Sequence, residues 1–261
     1  MHNIIPIHDR DDPRLYGYRD IKERDLRGRD GLFVAEGKVV IERLLVSSLY
    51  DALSILTTNS RLEALRSSLP RTSIPIYLVC QDIMDEVAGF AIHRGYLALG
   101  RKKAPNDWDG LWDLLKQREK LRFLILSAIA NTDNMGGVFR NAAAFGVDAV
   151  LLDETCCDPL YRKAIRVSVG GVFHVPHLRL ADWYSKLLAH DVIPLALSPF
   201  GSIAIEDLVP PDRYGLVIGA EGPGLSDSIL ASMETVRIDM AGGFDSLNLA
   251  TTSGIALYAL S

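Results

Sequence analysis

The sequence predicts an α/β protein in two parts, the larger one built on a mostly parallel sheet with helices on both faces. Three observations predict it. Strand-like and helix-like stretches alternate through most of the chain. From Leu121 onward the strand candidates include continuous apolar runs such as LRFLILSAI, as strands buried on both faces require. A charged, proline-bearing break, RKKAPNDWD at Arg101–Asp109, separates this half from a smaller set of alternating elements before it.

Bulk composition narrows the class further. With 48% hydrophobic and 23% charged residues, the chain matches an ordinary soluble globular protein of one large or two ordinary domains. No window approaches about 18 uninterrupted apolar residues, so no membrane span is expected. The N-terminus lacks an apolar core for a signal peptide. Cys80, Cys156 and Cys157 show no CxxC spacing, which predicts a reducing cytoplasm and no thiolate metal site. The net charge of −5 counts against non-specific nucleic-acid binding, but it is unevenly spread. Arg10, Arg14, Arg19, Lys22, Arg24, Arg27 and Arg29 crowd one stretch. That patch suits RNA contact, and a solvated helix of mixed charge accounts for it equally well, because acidic residues interleave throughout.

Taken in order, residues 13–27 suit a polar helix, LFVAEG a buried strand, and Lys38–Val46 a helix with Val39, Val40, Leu44 and Leu45 on its apolar face. Leu53–Leu56, Ile76–Val79 and HRGYLALG (93–100) read as further strands. Asn59–Leu69 reads as an amphipathic helix capped by Asn59 or Ser60, and Gln81–Val87 as a short one. Residues 1–100 thus form a small α/β domain, and 101–120 a linker followed by a helix whose Trp108, Leu111, Trp112 and Leu115 must dock. In 121–261, Asp133 or Asn134 can cap a helix over Met135–Phe145 that stops at Gly146. AVLL follows as a strand, then a helix start at Asp158–Pro159. FHVPHL, VIPLALS, YGLVIG and TVRIDM supply the remaining strands. Asp182–His190, Asp227–Ser232 and a closing Leu247–Leu260 supply the helices. The C-terminus is expected to be docked rather than frayed.

Three clusters fall at strand ends, where open α/β sheets place ligands. The first is NTDNMGGVFRN, from Asn131. Its Asn134 and Arg140 lie roughly 120° apart around a helix and about 9 Å apart along it, so both can border one pocket. Gly136 and Gly137 weaken that helix and call for a close approach by a ligand or another backbone. The second cluster, IGAEGPGL from Ile218, is a glycine-rich turn with exposed N–H groups around Glu221; it is neither GxGxxG nor a P-loop. The third is Ser246-Leu247-Asn248 before the closing helix, where Ser246 would serve as N-cap. His174 and His177 flank Val175–Pro176 and point to opposite faces, so zinc is not expected. Ser168 has no GxSxG setting for a nucleophile. Asp153, Glu154 and Asp158 read as solvated loop charges. A nucleotide-dependent oxidoreductase would need a glycine fingerprint after the first strand, and there is none.

Together these clusters resemble the SpoU/TrmH family of the SPOUT superfamily, S-adenosylmethionine-dependent RNA 2′-O-ribose methyltransferases. The matching residues are Asn134, Gly136 and Arg140, then GAEG at Gly219–Gly222, Ile238-x-Met240, and Ser246-Leu247-Asn248 running into an apolar helix. DPLYRKAIRVSVGGVFHVP, with Arg166, Ser168 and Gly170, also looks like a family loop. The likeness covers about 121–261. Residues 1–100 look, more vaguely, like the family's L30e-like RNA substrate-binding domain. The resemblance implies a SPOUT α/β-knot, that is, a trefoil-knotted parallel sheet, together with a homodimer and a site shared between subunits. It implies catalytic roles for Asn134, Arg140, Glu221, Ser246 and Asn248. For the cofactor it implies contacts from Leu197, Ser198, Gly219, Ala220, Gly222, Ile238, Met240 and Leu247, and for RNA contacts from Arg140, Arg166 and Ser168. Asp239 departs from the proline that many members carry there. Ribosomal RNA is the expected substrate; transfer RNA, or a non-catalytic RNA-binding role on the same fold, are the alternatives.

Overall fold

Apolar runs of four to six residues can be satisfied only in strands covered on both sides, and the chain builds its larger sheet from them. The computed structural model describes residues 3–19, 31–66, 73–89, 92, 95–103, 105–243 and 246–261. The chain divides into two compact units. Unit 1 comprises Met1–Ala104 with Leu160–His174, and unit 2 Pro105–Pro159 with Val175–Ser261. The first break falls inside the charged segment 101–109. The excursion 160–174 is an addition to unit 1 that strand–helix alternation alone does not reveal.

Unit 1 holds a five-stranded mixed sheet of β1 (Asn3–Pro6), β2 (Leu32–Glu36), β3 (Tyr50–Thr58), β4 (Pro75–Val79) and β5 (Tyr96–Lys102), in the order β1-β4-β3-β5-β2. β5 runs antiparallel to both neighbours, and the other pairs are parallel. Helices α1 (Lys38–Leu45), α2 (Asn59–Arg66) and α3 (Gln81–Ala88) accompany it. The helix expected over 13–27 is a 3-10 turn over Pro13–Tyr18; residues 20–30 lie outside the described residues. The described arginines of the basic patch are paired with acids: Arg10 with Glu86 of α3, Arg14 with Asp12, Arg19 with Asp11.

Unit 2 opens with α4 (Trp108–Leu115). Its Trp108, Leu111 and Leu115 are buried with Phe123, Ile125, Leu151, Trp183 and Leu187. Then come β6 (Leu121–Leu126), α5 (Thr132–Ala144) and β7 (Ala149–Leu152). In the excursion to unit 1, α6 spans Arg162–Val167, a little after the predicted Asp158–Pro159 start, and Gly171–Phe173 forms a 3-10 turn. Here Phe173 stacks on Phe33 at 5.4 Å and meets Tyr50 edge-on at 5.1 Å. Back in unit 2 follow β8 (His177–Arg179), α7 (Trp183–Leu188), β9 (Ile193–Leu197), β10 (Ile203–Ala204), β11 (Arg213–Ile218), α8 (Asp227–Leu230), β12 (Glu234–Arg237) and α9 (Leu249–Ala259). These strands form one seven-stranded sheet, β10-β12-β9-β11-β6-β7-β8, parallel at every pair. The strand expected over FHVPHL shrinks to three residues, because Gly171–Phe173 turns and Pro176 has no N–H to give a ladder. Tyr214 Oη donates to the Leu260 carbonyl at 3.2 Å, which ties down the end of α9. No described helix is long and apolar enough to cross a membrane.

Candidate active site

Two helices with unusually small facing residues set the site. A Cβ on Gly137 of α5 would stand 2.5 Å from Ala250 Cβ of α9, so only glycine admits this approach. Asn141 Nδ2 donates to the Ala250 carbonyl at 2.6 Å and to Ser253 Oγ at 2.9 Å, fixing the register one turn further on. Gly137 of NMGGVFR is thereby explained: the approaching partner is a helix. The contact also brings the N-terminal ends of α5 and α9 side by side.

Both ends are capped by asparagine. Asn131 Oδ1 accepts from the N–H groups of Asp133 and Asn134. Asn248 Oδ1 accepts from Ala250 and Thr251, so Asn248, and not Ser246, is the N-cap of α9, and the helix starts at Leu249. Likewise Asn131 takes the capping place expected of Asp133 or Asn134. In both cases a side chain two or three positions away fits the cap geometry better, because the cap oxygen must reach the N2 or N3 amide.

The other end of the Asn248 side chain does something more. Its Nδ2 donates to Asn134 Oδ1 at 3.1 Å and to Glu221 Oε1 at 3.2 Å. The Leu249 N–H also lies 3.5 Å from Glu221 Oε1. Three residues from three distant parts of the chain thus share one amide. Asn134 is 5% exposed, and a buried amide with one oxygen matched to one N–H is held in a single orientation. Glu221 Oε2 makes no hydrogen bond among the described residues. Arg140, further along α5, is exposed and has no ion-pair or hydrogen-bond partner among them.

Beside this cluster lies a cavity of about 750 Å³, within unit 2. Every residue expected to wall a cofactor lines it: Leu197 and Ser198 after β9; Gly219, Ala220 and Gly222 after β11; Ile238 and Met240 after β12; and Leu247. Glu221, Ser246 and Asn248 line it too; Asn134 reaches it through Asn248, and Arg140 is not part of the wall. The turn after β11 closes on itself through Gly224 N–H to the Ala220 carbonyl at 3.1 Å. A Cβ on Gly219 would stand 2.4 Å from the Gly224 carbonyl carbon, so this position accepts no side chain. The result is a stiff rim of backbone amides against an otherwise apolar wall.

The loops after β6 and β7 are organised by Asp153, which is not the solvated charge its sequence position suggests. Its carboxylate accepts from Ser127 Oγ, the Ala128 N–H, Thr155 N–H and Oγ1, and the Cys156 N–H. Burial opposes its ionisation, but the hydrogen bonds from Thr155, Ser127 and Ala128 outweigh it and hold the carboxyl below the usual range. Burial pushes the neighbouring Cys156 thiol up to about 12, so it stays protonated and donates to the Leu126 carbonyl.

Two predicted RNA-contacting residues fall elsewhere. Arg166 lies in unit 1, where it shares the buried Glu36 carboxylate with Arg162, at 3.4 and 2.6 Å. Ser168 is fully buried in the same unit and donates to the Ile165 carbonyl at 2.8 Å. Its hydroxyl is a satisfied helix-end group and offers nothing to RNA, which corrects its assignment. Conversely, Pro199, Phe200 and Thr252 line the cavity although no sequence motif marks them. The Ser-Pro-Phe-Gly tetrapeptide at 198–201 is the available signal, since proline followed by one residue and glycine marks a turn.

The model of the SpoU rRNA Methylase family matches residues 122–258, more than half the chain. The chain belongs to the SpoU rRNA methylase family. The residues that model matches hold all of the cavity described above. An uncharacterized tRNA/rRNA methyltransferase of Mycobacterium tuberculosis is 37% identical over 98% of this chain and 91% of its own length. The 23S rRNA (guanosine-2′-O-)-methyltransferase RlmB of Salmonella typhi is 30% identical over 77% of this chain and 84% of its own. Among solved structures, the SpoU methyltransferase AviRb of Streptomyces viridochromogenes in complex with AdoMet has a TM-score of 0.80. It covers 95% of this chain and 96% of its own at 22% identity, a likeness of fold. As a member of this family the protein is a methyltransferase.

Proposed function

We propose that the protein transfers a methyl group from S-adenosylmethionine to a ribose 2′-oxygen of RNA, with ribosomal RNA as the substrate. The observation that carries this reading is the shared amide of Asn248. It joins Asn134 and Glu221 at the edge of a cavity sized for a nucleoside-like ligand, which is a built site rather than a capped helix alone. The residues fit the cofactor. Leu197, Ile238, Met240 and Leu247 would hold its apolar ring faces. Ser198 and the backbone of Gly219, Ala220 and Gly222 would take its polar edges. Bound there, the cofactor supplies an electrophilic methyl on a positively charged sulfur.

The chain's own residues orient the acceptor. Arg140, without a partner among the described residues, holds an RNA phosphate and stabilises charge developing on the ribose oxygen. A guanidinium with pKa above about 12 is a poor base. Such electrostatic assistance lowers the barrier by about 2–4 kcal/mol at comparable sites. Asn134 and Asn248 fix Glu221, whose Oε2 faces no competing donor among the described residues and serves the ribose hydroxyl. Ser246 completes the rim.

Several finer features belong to this reading. We place a trefoil knot in the stretch after β9, because β11 inserts between β9 and β6 while β12 lies outside β9 and α9 returns to α5. We assign a homodimer built on α9, where Ile255 and Tyr258 are exposed apolar residues of a docked helix. Unit 1 serves as the RNA-binding domain, with the part-exposed Arg166 on its surface. The working compartment is the cytoplasm. Ribosomal rather than transfer RNA is favoured by the name of the family and of the Salmonella relative. The test has two parts. S-adenosylmethionine, but not NAD, should give heat on calorimetric titration. Ribosomal RNA from cells lacking the gene should gain one site resistant to alkaline cleavage when incubated with protein and cofactor. No binding and no new resistant site would overturn the reading.

A further inference from the structure

Phe200 is 90% exposed, the highest value among the large apolar side chains described, yet it stands at the wall of the cavity. Its ring does nothing for the fold. Its backbone, by contrast, is tied on every side. Ser198 and Gly201 close a β-turn through the Gly201 N–H to the Ser198 carbonyl at 3.0 Å, with Pro199 and Phe200 at the tip. The Phe200 N–H donates to Ser198 Oγ at 3.3 Å. A Cβ on Gly201 would stand 2.3 Å from the Val236 carbonyl carbon, so the turn lies flush against β12. Ser202 bonds Thr235 through both its N–H and its hydroxyl, each at 3.0 Å. Arg237 Nη1 donates to the Gly201 and Ser202 carbonyls at 3.0 and 3.1 Å, and Asp239 orients it through Nε at 2.7 Å. Asp239 thus gains a role, as the anchor of this turn.

A ring held out on a turn this stiff is preorganised for a flat partner. We propose that Phe200 is a stacking platform for an unpaired nucleobase of the RNA, at or next to the nucleotide being methylated. The proposal rests on the RNA methyltransferase reading above. Nucleic-acid proteins use such aromatics to hold splayed-out bases without regard to sequence. Its 90% exposure leaves a whole ring face open to a flat partner at the cavity's rim, which suits a base of the substrate; the cofactor's adenine is the rival that the test separates.

The test compares Phe200→Ala, Phe200→Leu and Phe200→Trp with the full-length wild type, using protein-free ribosomal RNA from cells lacking the gene. Phe200→Ala should raise KM for RNA about 5- to 50-fold. Its calorimetric affinity for S-adenosylmethionine, measured without RNA, should stay within about twofold of wild type. Phe200→Leu should behave like Phe200→Ala, and Phe200→Trp should restore KM. The indole introduced by Phe200→Trp should add fluorescence over the wild-type signal, and that RNA should quench the added part even without cofactor, a readout independent of methyl transfer. Loss of cofactor affinity in Phe200→Ala would make the ring a cofactor clamp and overturn the proposal. An unchanged KM, or full rescue by Phe200→Leu, would overturn it as well. Wild type that neither binds S-adenosylmethionine nor methylates RNA would instead sink the underlying reading.

Discussion

The two helices that meet at the cavity both begin with a capping asparagine, and the two caps do different amounts of work. Asn131 spends its carbonyl oxygen on the first amides of α5, and its side chain makes no further bond among the described residues. Asn248 caps α9 in the same way and also turns its N–H₂ to Asn134 and Glu221. The lesson is that a helix cap becomes part of a site when the far side of its amide meets groups from other segments. Capping geometry alone would rank the two equally.

Substitutions can break this comparison or sharpen it. At Asn248 the largest effect is expected. Asn248→Ala should lower kcat about 100-fold or more and cost about 1 kcal/mol of stability. Asn248→Ser keeps a capping oxygen and loses the bridging amide. It should therefore melt like wild type and still turn over poorly; wild-type turnover would mean the bridge is idle. Arg140→Lys keeps the charge but loses the two-pronged guanidinium, and kcat should fall about 30- to 100-fold with cofactor affinity nearly unchanged. Near-normal activity would remove Arg140 from its role. Gly137→Leu wedges α5 away from α9 and should destabilise by about 2–3 kcal/mol in urea unfolding, with turnover falling as the Asn134–Asn248 bond lengthens.

Asp153 tests the loops after β6 and β7. Because its carboxyl is held below its unfolded value, its contribution is present at neutral pH and lost as the solution is acidified through the folded value. Asp153→Asn should cost about 1–2 kcal/mol at pH 7, after allowing for its partial exposure, and progressively less as the solution is acidified. Parallel pH–stability curves for the two proteins would contradict this. The smallest effect belongs to Asn131→Ala: about 1 kcal/mol in thermal melts, with kcat within about twofold of wild type.

Much of unit 2 is legible in the sequence because its signals are local. Apolar runs such as Phe123–Leu126 and Tyr214–Ile218, bounded by turn signals, suit buried strands, and the cavity-lining residues follow the ends of such strands. The sequence puts the caps two or three residues off, since Asp133, Asn134 and Ser246 are all good capping types and only backbone direction selects Asn131 and Asn248. Asp153 looks like a loop charge because its five donors come from two loops, Ser127–Ala128 and Thr155–Cys156. Ser168 is misplaced for a related reason: a position within a family motif says nothing of burial. Phe200 carries a turn signal but no chemistry until its exposure and anchoring are visible.

The excursion 160–174 has a consequence for how this protein can be taken apart. Phe173 stacks among Phe33 and Tyr50, and Arg162 neutralises the buried Glu36, so a fragment ending near residue 104 would leave unit 1 with an opened aromatic core and an uncompensated carboxylate. Such a fragment should come out of the cell insoluble. By the same token, the gene cannot be recombined as two modules joined end to end. Any swap of unit 1 with that of a relative must carry residues 160–174 along with it.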